Sequence, residues 1–331
     1  MSKNFWLPIT ISIGLLFCIN ILMVSSLAPG TLLKQLFAWT IGLILFFIGK
    51  QINPKQIYPY RWIVFAICCF LLILPIILNN TTRGSRRWID IGPQKIQPSE
   101  IVKPWLMLFL VNTPYPLLHV IPTFIVMTQP DLGSAISIFC LIIPLILYNK
   151  KLIKLSVLAV IVFILLSPLI WNKVLHDYQR HRVTNFLNPL SDPLGKGYNV
   201  IQSKIAIGSG SIWGRGYKKG SQGQLLFLPE KHTDFIFAST AEELGLIGIS
   251  IMLLSYFILI KTLIKKAFST SNRGLFLFTL GIAFQIWIQA FINIGMNIGI
   301  LPVTGIPLPF ISVGGSSLMA LLFSLGVIFS S

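Results

Sequence analysis

Acidic residues are scarce in this sequence. The chain of 331 residues carries nine Asp and Glu against 26 Lys and Arg, and charged residues make up only 11% of it. Soluble globular proteins carry a charge on about a quarter of their residues, so this composition excludes an ordinary soluble domain. No acidic residue precedes Asp90 or follows Glu243. Because a carboxylate is costly inside a membrane, acids gathered in the middle of such a chain mark a region with a function.

Cysteine is also scarce, and its four occurrences show no spacing typical of a metal site or a disulfide framework. Cys18, Cys68, Cys69 and Cys140 all lie inside apolar runs. We interpret them as packing residues, and no residue of the chain is assigned as a metal ligand.

Apolar residues are abundant, at 54% of the chain with a mean hydropathy of +0.80. Runs of about 17 to 25 apolar residues recur, each long enough to cross a hydrocarbon core of about 30 Å as a helix. The sequence predicts an all-α, polytopic integral membrane bundle of about ten transmembrane helices, forming a single domain over residues 1–331. The predicted spans are 5–25, 33–49, 62–78, 100–112, 117–129, 132–148, 153–171, 234–260, 274–294 and 313–330. The first is read as a retained span rather than a signal peptide.

The distribution of Lys and Arg predicts the orientation. Basic clusters follow the second, sixth and eighth spans, and such clusters in short loops lie in the cytoplasm. Both termini are then cytoplasmic, and a large loop at about 172–233, between the seventh and eighth spans, lies outside. The outer loops are also basic, which predicts an anionic partner at the outer membrane surface. No nucleic-acid partner is expected.

A basic stretch from 83 to 103 is the first candidate for chemistry. Its arginines Arg83, Arg86 and Arg87 offer planar forks suited to phosphate. Glu100 and Lys103 follow three residues apart, on one face of the helix that begins near Pro98. Two interpretations remain: a structural ion pair within the bundle, or a buried pair that faces a polar cavity.

Two turn-rich stretches follow. In QPDLG at 129–133, Asp131 is expected to cap the next helix. In the outer loop, six glycines between 208 and 223 stand among Lys204, Arg215, Lys218 and Lys219. Amides free of side-chain bulk and flanked by cations can hold a phosphate, but a flexible, solvated loop has the same composition.

The stretch FLPEKHTDFIF at 227–237 is the densest polar cluster at the start of an apolar run. Asp234 is either the N-terminal cap of the next helix or a poorly solvated carboxylate with a raised pKa that acts as a base. His232 is an alternative base. Glu242 and Glu243 lie deeper, and at least one of them must find a partner within the bundle.

Glycines and prolines interrupt the apolar sequence between Asn293 and Ser317. Irregular backbone is tolerated at membrane depth only where it is buried or lines a cavity. We therefore expect a broken or re-entrant segment here, in either an enzyme cavity or a transport path.

Taken together, these stretches resemble the SEDS family (shape, elongation, division and sporulation), and within it the RodA branch. The matching motifs are GSRRWIDIG at 84–92, QPSEIVK at 97–103, QPDLG at 129–133, YQRHRV at 178–183, GYNVIQSKIAIGSGS at 197–211, FLPEKHTDFIFA at 227–238, EELGLIG at 242–248 and NIGMNIGILPVTGIPLPFISVGGSS at 293–317.

The resemblance implies a peptidoglycan glycosyltransferase that polymerises lipid-linked disaccharide-pentapeptide (lipid II) on the outer face of the bacterial cytoplasmic (inner) membrane. It implies a class B penicillin-binding transpeptidase and the elongation machinery as partners. The family's essential Asp maps onto Asp234, and its functional Glu and Lys map onto Glu100 and Lys103. Mg²⁺ or Mn²⁺ is left open as a cofactor. Candidate substrate-binding residues are Arg83, Arg86, Arg87, Arg180, Arg182, Gln202, Lys204 and His232.

Two rival functions remain: a flippase for the lipid-linked precursor, and a scaffold that only recruits the transpeptidase. The flippase predicts polar residues that continue to the inner leaflet, whereas the acids here stop in the outer half. Departures from the family pattern are Ser211 for Gly, Arg215 for Lys, a short uncharged connection at 112–118, and no basic tail before Ser331. The last two bear on cytoplasmic contacts rather than on the outer-face chemistry.

Overall fold

A computed structural model describes residues 5–78, 87–91, 94–169, 197–225 and 227–330. In these ranges the chain is a bundle of α-helices with one short β-hairpin. The elements are α1 (Trp6–Leu27), α2 (Leu32–Gly49), α3 (Arg61–Ile77), β1 (Ile89–Ile91), β2 (Gln94–Ile96), α4 (Pro98–Asn112), α5 (Val120–Met127), α6 (Leu132–Phe139), α7 (Ile143–Tyr148), α8 (Lys150–Leu169), α9 (Tyr198–Ser209), α10 (Ser221–Gln224), α11 (Ile236–Phe268), α12 (Arg273–Ile298) and α13 (Gly315–Ile328).

Helical structure occupies all ten predicted spans, which confirms a multi-pass helical membrane protein. Five helical stretches are long and apolar enough by themselves to cross a membrane: Trp6–Leu27, Pro29–Gly49, Pro54–Ile77, Ile236–Phe268 and Arg273–Ile298. The span predicted at 132–148 is divided into α6, a 3₁₀ turn at Cys140–Ile142, and α7. Pro144 explains the division, because it has no N–H to donate to the carbonyl four residues earlier.

The hairpin differs from the sequence-based expectation, and so does the stretch at 172–233, which we call the outer segment after its predicted location. Strands β1 and β2 pair antiparallel, with Asp90 opposite Lys95, in a region where no strand was predicted. The signal was present, since two short alternating runs flank a Gly-Pro pair in the sequence. The stretch predicted as an outer loop at 172–233 contains α9 and α10. Within it, residues 170–196 lie outside the described part of the chain.

Helix α11 contains a break at Gly245, whose φ of 64° and ψ of −165° are not helical. Backbone groups of residues 211–216 form hydrogen bonds in place of those that the break removes. The amides of Leu246 and Ile247, which would bond to Glu242 and Glu243 in a regular helix, donate to the carbonyls of Ser211 and Ile212 (3.0 and 3.3 Å). In exchange, the two glutamate carbonyls accept from the amides of Arg215 and Gly216 at 2.8 and 3.0 Å. Residues 211–216 are therefore joined to α11 through its backbone.

Close contacts between α2, α4, α12 and α13 hold this part of the bundle together. Helix α13 packs against α2 and α4, and the α2–α13 contact passes through glycines. A Cβ on Gly49 would lie 2.5 Å from the Phe323 carbonyl oxygen, and one on Gly326 would overlap the backbone of Phe46. Helix α12 runs antiparallel to α4, with Met107 of α4 filling the space above Gly281. Small residues of this kind allow membrane helices to approach closely.

The break in α11 generates a prediction. In Gly245→Ala the added Cβ would overlap the backbone of Gly214, and the residue would keep a conformation that only glycine adopts easily. We expect a loss of stability of about 2–5 kcal/mol, measured as a lower apparent melting temperature in detergent. Gly208→Ala is the control, because a Cβ there meets no atom within 4 Å. Equal melting temperatures for the two variants would contradict this account.

Candidate functional site

A small polar cavity of about 90 Å³ opens where α4, α11 and α13 begin. Four stretches that are far apart in sequence line it: the residues before β1, the start of α4, the turn before α11, and the irregular stretch that leads into α13. The lining residues are Arg87, Trp88, Gln97, Glu100, Thr233, Asp234, Gly305, Pro307, Val313, Gly314, Gly315, Ser316 and Ser317. The expected broken segment is present between α12 and α13, and it lines a cavity as predicted.

Glu100 and Lys103 form the ion pair that their spacing predicts. The Lys103 Nζ lies 2.6 Å from Glu100 Oε1, and the two side chains are 0% and 4% exposed. Pro98 occupies the first turn of α4, where its missing N–H costs nothing, so the helix begins early enough to bring both residues to one face. Glu100 lines the cavity and Lys103 does not. Lys103 therefore acts on this cavity indirectly, by its ion pair with Glu100.

Asp131 caps a helix, as the sequence predicts, and it also contacts two further side chains that the sequence does not predict. It caps α6 as predicted, accepting from the Ser134 amide at 3.1 Å. Its Oδ2 also accepts from the Gln97 side chain at 3.1 Å and lies 3.3 Å from Arg87 NH1. Arg87, predicted to bind substrate, thus also compensates a buried carboxylate. The scarcity of acids was the available signal, since each buried carboxylate needs a partner.

Asp234 lies in the turn before α11 and not at the cap of that helix. The helix begins at Ile236 with Phe235 as its N-cap residue, so the capping interpretation of Asp234 is wrong. The turn is joined to the irregular stretch: Ser312 Oγ donates to the Thr233 carbonyl at 2.6 Å, and the Val313 amide donates to the His232 carbonyl at 2.9 Å. Asp234 Oδ2 lies beside Gly305, where a Cβ would stand 3.6 Å from it.

Three further candidates do not line this cavity. Gln202 and Lys204 lie on α9, and Lys204 packs its Cε and Nζ over Gly299, beyond the end of α12. His232 is half-buried in the turn before α11, although its side chain does not line the cavity. Arg83, Arg86, Arg180 and Arg182 lie outside the described residues.

In the glycine-rich stretch, for which a phosphate cradle was one of two interpretations, backbone amides bind carboxylates of the protein itself. Glu242 accepts hydrogen bonds from the amides of Gln222 and Gly223 at 2.9 and 3.2 Å, and Glu243 accepts from the Lys218 amide at 3.2 Å. These amides are occupied by carboxylates of α11 and are not available to an anion. Through these contacts both glutamates join this part of the stretch to the bundle.

Glu243 has further partners around this stretch. It accepts from the Ser26 hydroxyl at 2.6 Å and from the Gln224 side-chain amide at 3.0 Å. Burial lowers the pKa of nearby Lys231, while the Glu243 carboxylate acts in the opposite direction. Lys231 also donates to the Gly223 carbonyl at 2.6 Å. The expectation that at least one of the two glutamates finds a partner in the bundle is confirmed for Glu243, through Ser26 of α1, whereas the partners of Glu242 lie at residues 221–223.

These features define a multi-pass helical membrane protein with a carboxylate-lined cavity at one end of the bundle. The sequence model of the cell cycle proteins FtsW, RodA and SpoVE matches residues 3–330, and the chain belongs to this family. It is 37% identical to the peptidoglycan glycosyltransferase MrdB of Escherichia coli strain K12, over 99% of this chain and 95% of that protein. It is 35% identical to stage V sporulation protein E of Bacillus subtilis strain 168, over 89% and 85%. The longer match to MrdB agrees with the RodA branch that the motifs indicated.

Solved structures agree with this fold. A chain from a study of structural coordination of polymerization and crosslinking by a peptidoglycan synthase complex superposes with a TM-score of 0.84 at 29% identity, covering 99% of this chain and 97% of that one. The rod shape determining protein RodA of Thermus thermophilus superposes with a TM-score of 0.69 at 23% identity, covering 99% and 96%, and shows the fold alone.

The buried ion pair generates a prediction. Lys103→Met leaves the Glu100 carboxylate buried without its partner, and we expect a cost of about 3–5 kcal/mol. The double variant Glu100→Gln/Lys103→Met removes both charges and should recover most of this loss in apparent melting temperature. The control is Lys95→Met, which breaks the exposed pair with Asp90 and should cost less than about 1 kcal/mol. A Lys103→Met protein as stable as the control would contradict the role given to the pair.

Proposed function

We propose that this chain is a peptidoglycan glycosyltransferase that elongates glycan strands from lipid II during growth of the rod. The observation that carries the proposal is the cavity that brings Asp234 and Glu100 together, in a bundle matched along 99% of its length by a protein of that activity. We infer that the chain lies in the bacterial cytoplasmic membrane with both termini inside. Lys261, Lys265 and Lys266 lie at the opposite end of α11 from Asp234, so the positive-inside rule turns the cavity outward.

Asp234 is the proposed general base. Its carboxylate takes the proton of the acceptor sugar hydroxyl while that oxygen forms a bond to the anomeric carbon of the lipid-linked donor. The bond from the anomeric carbon to the diphosphate oxygen breaks on the opposite side, and its electron pair leaves with undecaprenyl pyrophosphate. The configuration at the anomeric carbon is therefore inverted. Glu100, held by Lys103, shapes the same cavity and positions the acceptor.

Negative charge develops on the leaving diphosphate, so cations near it stabilise the transition state. Arg87 lines the cavity, its side chain is 24% exposed, and one of its guanidinium nitrogens faces Asp131. We assign Arg83, Arg86, Arg180 and Arg182 to the same task on their sequence alone. Lys204 and Gln202, on α9 away from the cavity, are assigned to the path by which the substrate approaches.

A divalent cation, Mg²⁺ or Mn²⁺, is proposed to share this task. Such ions bind through one or two carboxylates together with substrate phosphates, and Asp234 and Glu100 supply carboxylate oxygens to one cavity. No group of three His, Cys, Asp or Glu residues suited to a metal occurs among the residues described, so the diphosphate would complete the ligand set. When bound, the ion would neutralise charge on the leaving group.

A class B penicillin-binding transpeptidase is the proposed partner, together with other components of the elongation machinery. Support comes from the similar chain described as part of a peptidoglycan synthase complex that coordinates polymerization and crosslinking. The glycan leaves one enzyme as the substrate of the other, which favours a stable pair in the same membrane.

The central test is polymerisation of lipid II by the purified protein with its transpeptidase partner. Asp234→Asn keeps the shape of the side chain but cannot accept the proton, and we expect polymer formation to fall by about 10²-fold or more. Asp90→Asn, in the exposed hairpin, is the matched control and should retain activity. Full activity of Asp234→Asn, combined with loss in His232→Gln, would transfer the base role to His232. Precursor flipping without polymer in any variant would replace the proposal by the flippase.

The metal has its own test. Addition of EDTA should reduce polymerisation, and Mg²⁺ or Mn²⁺ should restore it, because the ion is proposed to balance the diphosphate charge. Isothermal titration of Mn²⁺ into wild type and Asp234→Asn, with the diphosphate product present, provides a readout independent of turnover. Unchanged activity in EDTA would remove the cation from the proposal without affecting the role of Asp234.

A further inference from the structure

Asp234 stands where no regular secondary structure fixes its position. It precedes the first residue of α11 by two positions and follows Glu230, whose φ is +50°. A catalytic carboxylate must be held within a fraction of an ångström of its productive position. The contacts of its backbone therefore decide whether it can act.

Two asparagines on α12 hold that backbone. The Asn293 and Asn297 side-chain amides both donate to the Asp234 carbonyl, at 3.1 and 3.0 Å. The two asparagines lie four residues apart on one helix face, and both are fully buried. One carbonyl with two amide donors has both lone pairs engaged, so the orientation of its peptide plane is fixed.

The same asparagines also connect the other parts of the cavity. Asn297 Oδ1 accepts from the Ala238 amide in the first turn of α11 at 3.1 Å. Asn293 Nδ2 also donates to the Ile306 carbonyl at 2.8 Å, next to Gly305, which lies beside the Asp234 carboxylate. Two side chains thus join the turn before α11, the helix itself and the irregular stretch.

We propose that Asn293 and Asn297 are positioning residues for the reaction, holding Asp234 at the depth and angle that the chemistry needs. The inference rests on the proposed function of Asp234 as the base. Neither asparagine lines the cavity, so neither contacts the substrate. Their loss should therefore reduce kcat and leave KM for lipid II nearly unchanged.

Helix α12 supplies a matched control on the same face. Gln289 lies one turn before Asn293 and is equally buried, but its amide donates to Ser137 Oγ at 3.2 Å and does not reach Asp234. Gln289→Met and Asn297→Leu each replace a buried amide by an apolar side chain of similar size. A general disturbance of the bundle would affect both variants alike.

The experiment is steady-state polymerisation by wild type, Asn297→Leu, Asn293→Ala and Gln289→Met, each with the transpeptidase partner, together with melting curves. We expect kcat to fall about 10- to 100-fold in both Asn variants, with KM within about threefold of wild type, and no such loss in Gln289→Met. Asn293→Ala leaves the second donor in place, so it supplies the measurement if Asn297→Leu does not fold.

Two results would overturn the inference: wild-type kcat in a folded Asn variant, or a loss in Gln289→Met of the same size. Asp234→Asn separates this failure from that of the proposed function. If Asp234→Asn is inactive while the Asn variants turn over normally, the positioning role alone is wrong. If Asp234→Asn is fully active, the base assignment itself is wrong.

Discussion

The hydrocarbon core of a membrane offers no water to a charged or polar group, and the whole structure depends on meeting that constraint from within the bundle. Each buried carboxylate in the described part of the chain has its own partners. Glu100 has Lys103, Asp131 has Arg87 and Gln97, and the two glutamates of α11 take backbone amides from the outer segment. Because the acids are few, each can be accounted for by a specific contact. The contacts of Glu100 and Asp131 also hold residues that line the cavity in place.

Sequence reasoning worked where a local pattern decides the outcome. Long apolar runs determine helices regardless of their neighbours, so the positions of the ten spans could be predicted. The pairing of Glu100 with Lys103 follows from helical periodicity alone. The cap at Asp131 and the broken segment after α12 follow from local chemistry in the same way. The motifs that resemble the SEDS family contain Asp234, Glu100 and Arg87, which the fold brings to one cavity.

Reasoning from sequence was less successful where distant segments meet. Nothing local shows that the glycine-rich amides bind Glu242 and Glu243, which stand about 20 residues further along, so a phosphate cradle was considered in their place. Nothing local places Asn293 and Asn297 against Asp234, about 60 residues earlier in the chain. A polar residue within an apolar run predicts that a partner exists, but only the fold shows which residue that partner is. Arg87 is an example: the sequence indicated a cationic side chain suited to phosphate, but it did not indicate that this side chain pairs with Asp131.

The break at Gly245 divides α11 into two rods of different character. The rod from 246 to 268 is 23 residues long, or about 35 Å, which already exceeds the thickness of the hydrocarbon core. Lys261, Lys265 and Lys266 end that rod on the proposed cytoplasmic side, so about 20 residues of α11 counted back from Ile260 cross the core. Asp234 then lies about 10 Å beyond the lipid tails, past the end of the short rod from 236 to 244. In the proposed orientation this level is the outer headgroup layer, the layer that would also hold the diphosphate of a lipid-linked donor. A donor can thus present its sugar to the carboxylate while its isoprenoid chain remains dissolved in the leaflet, and successive carriers can exchange by lateral diffusion alone.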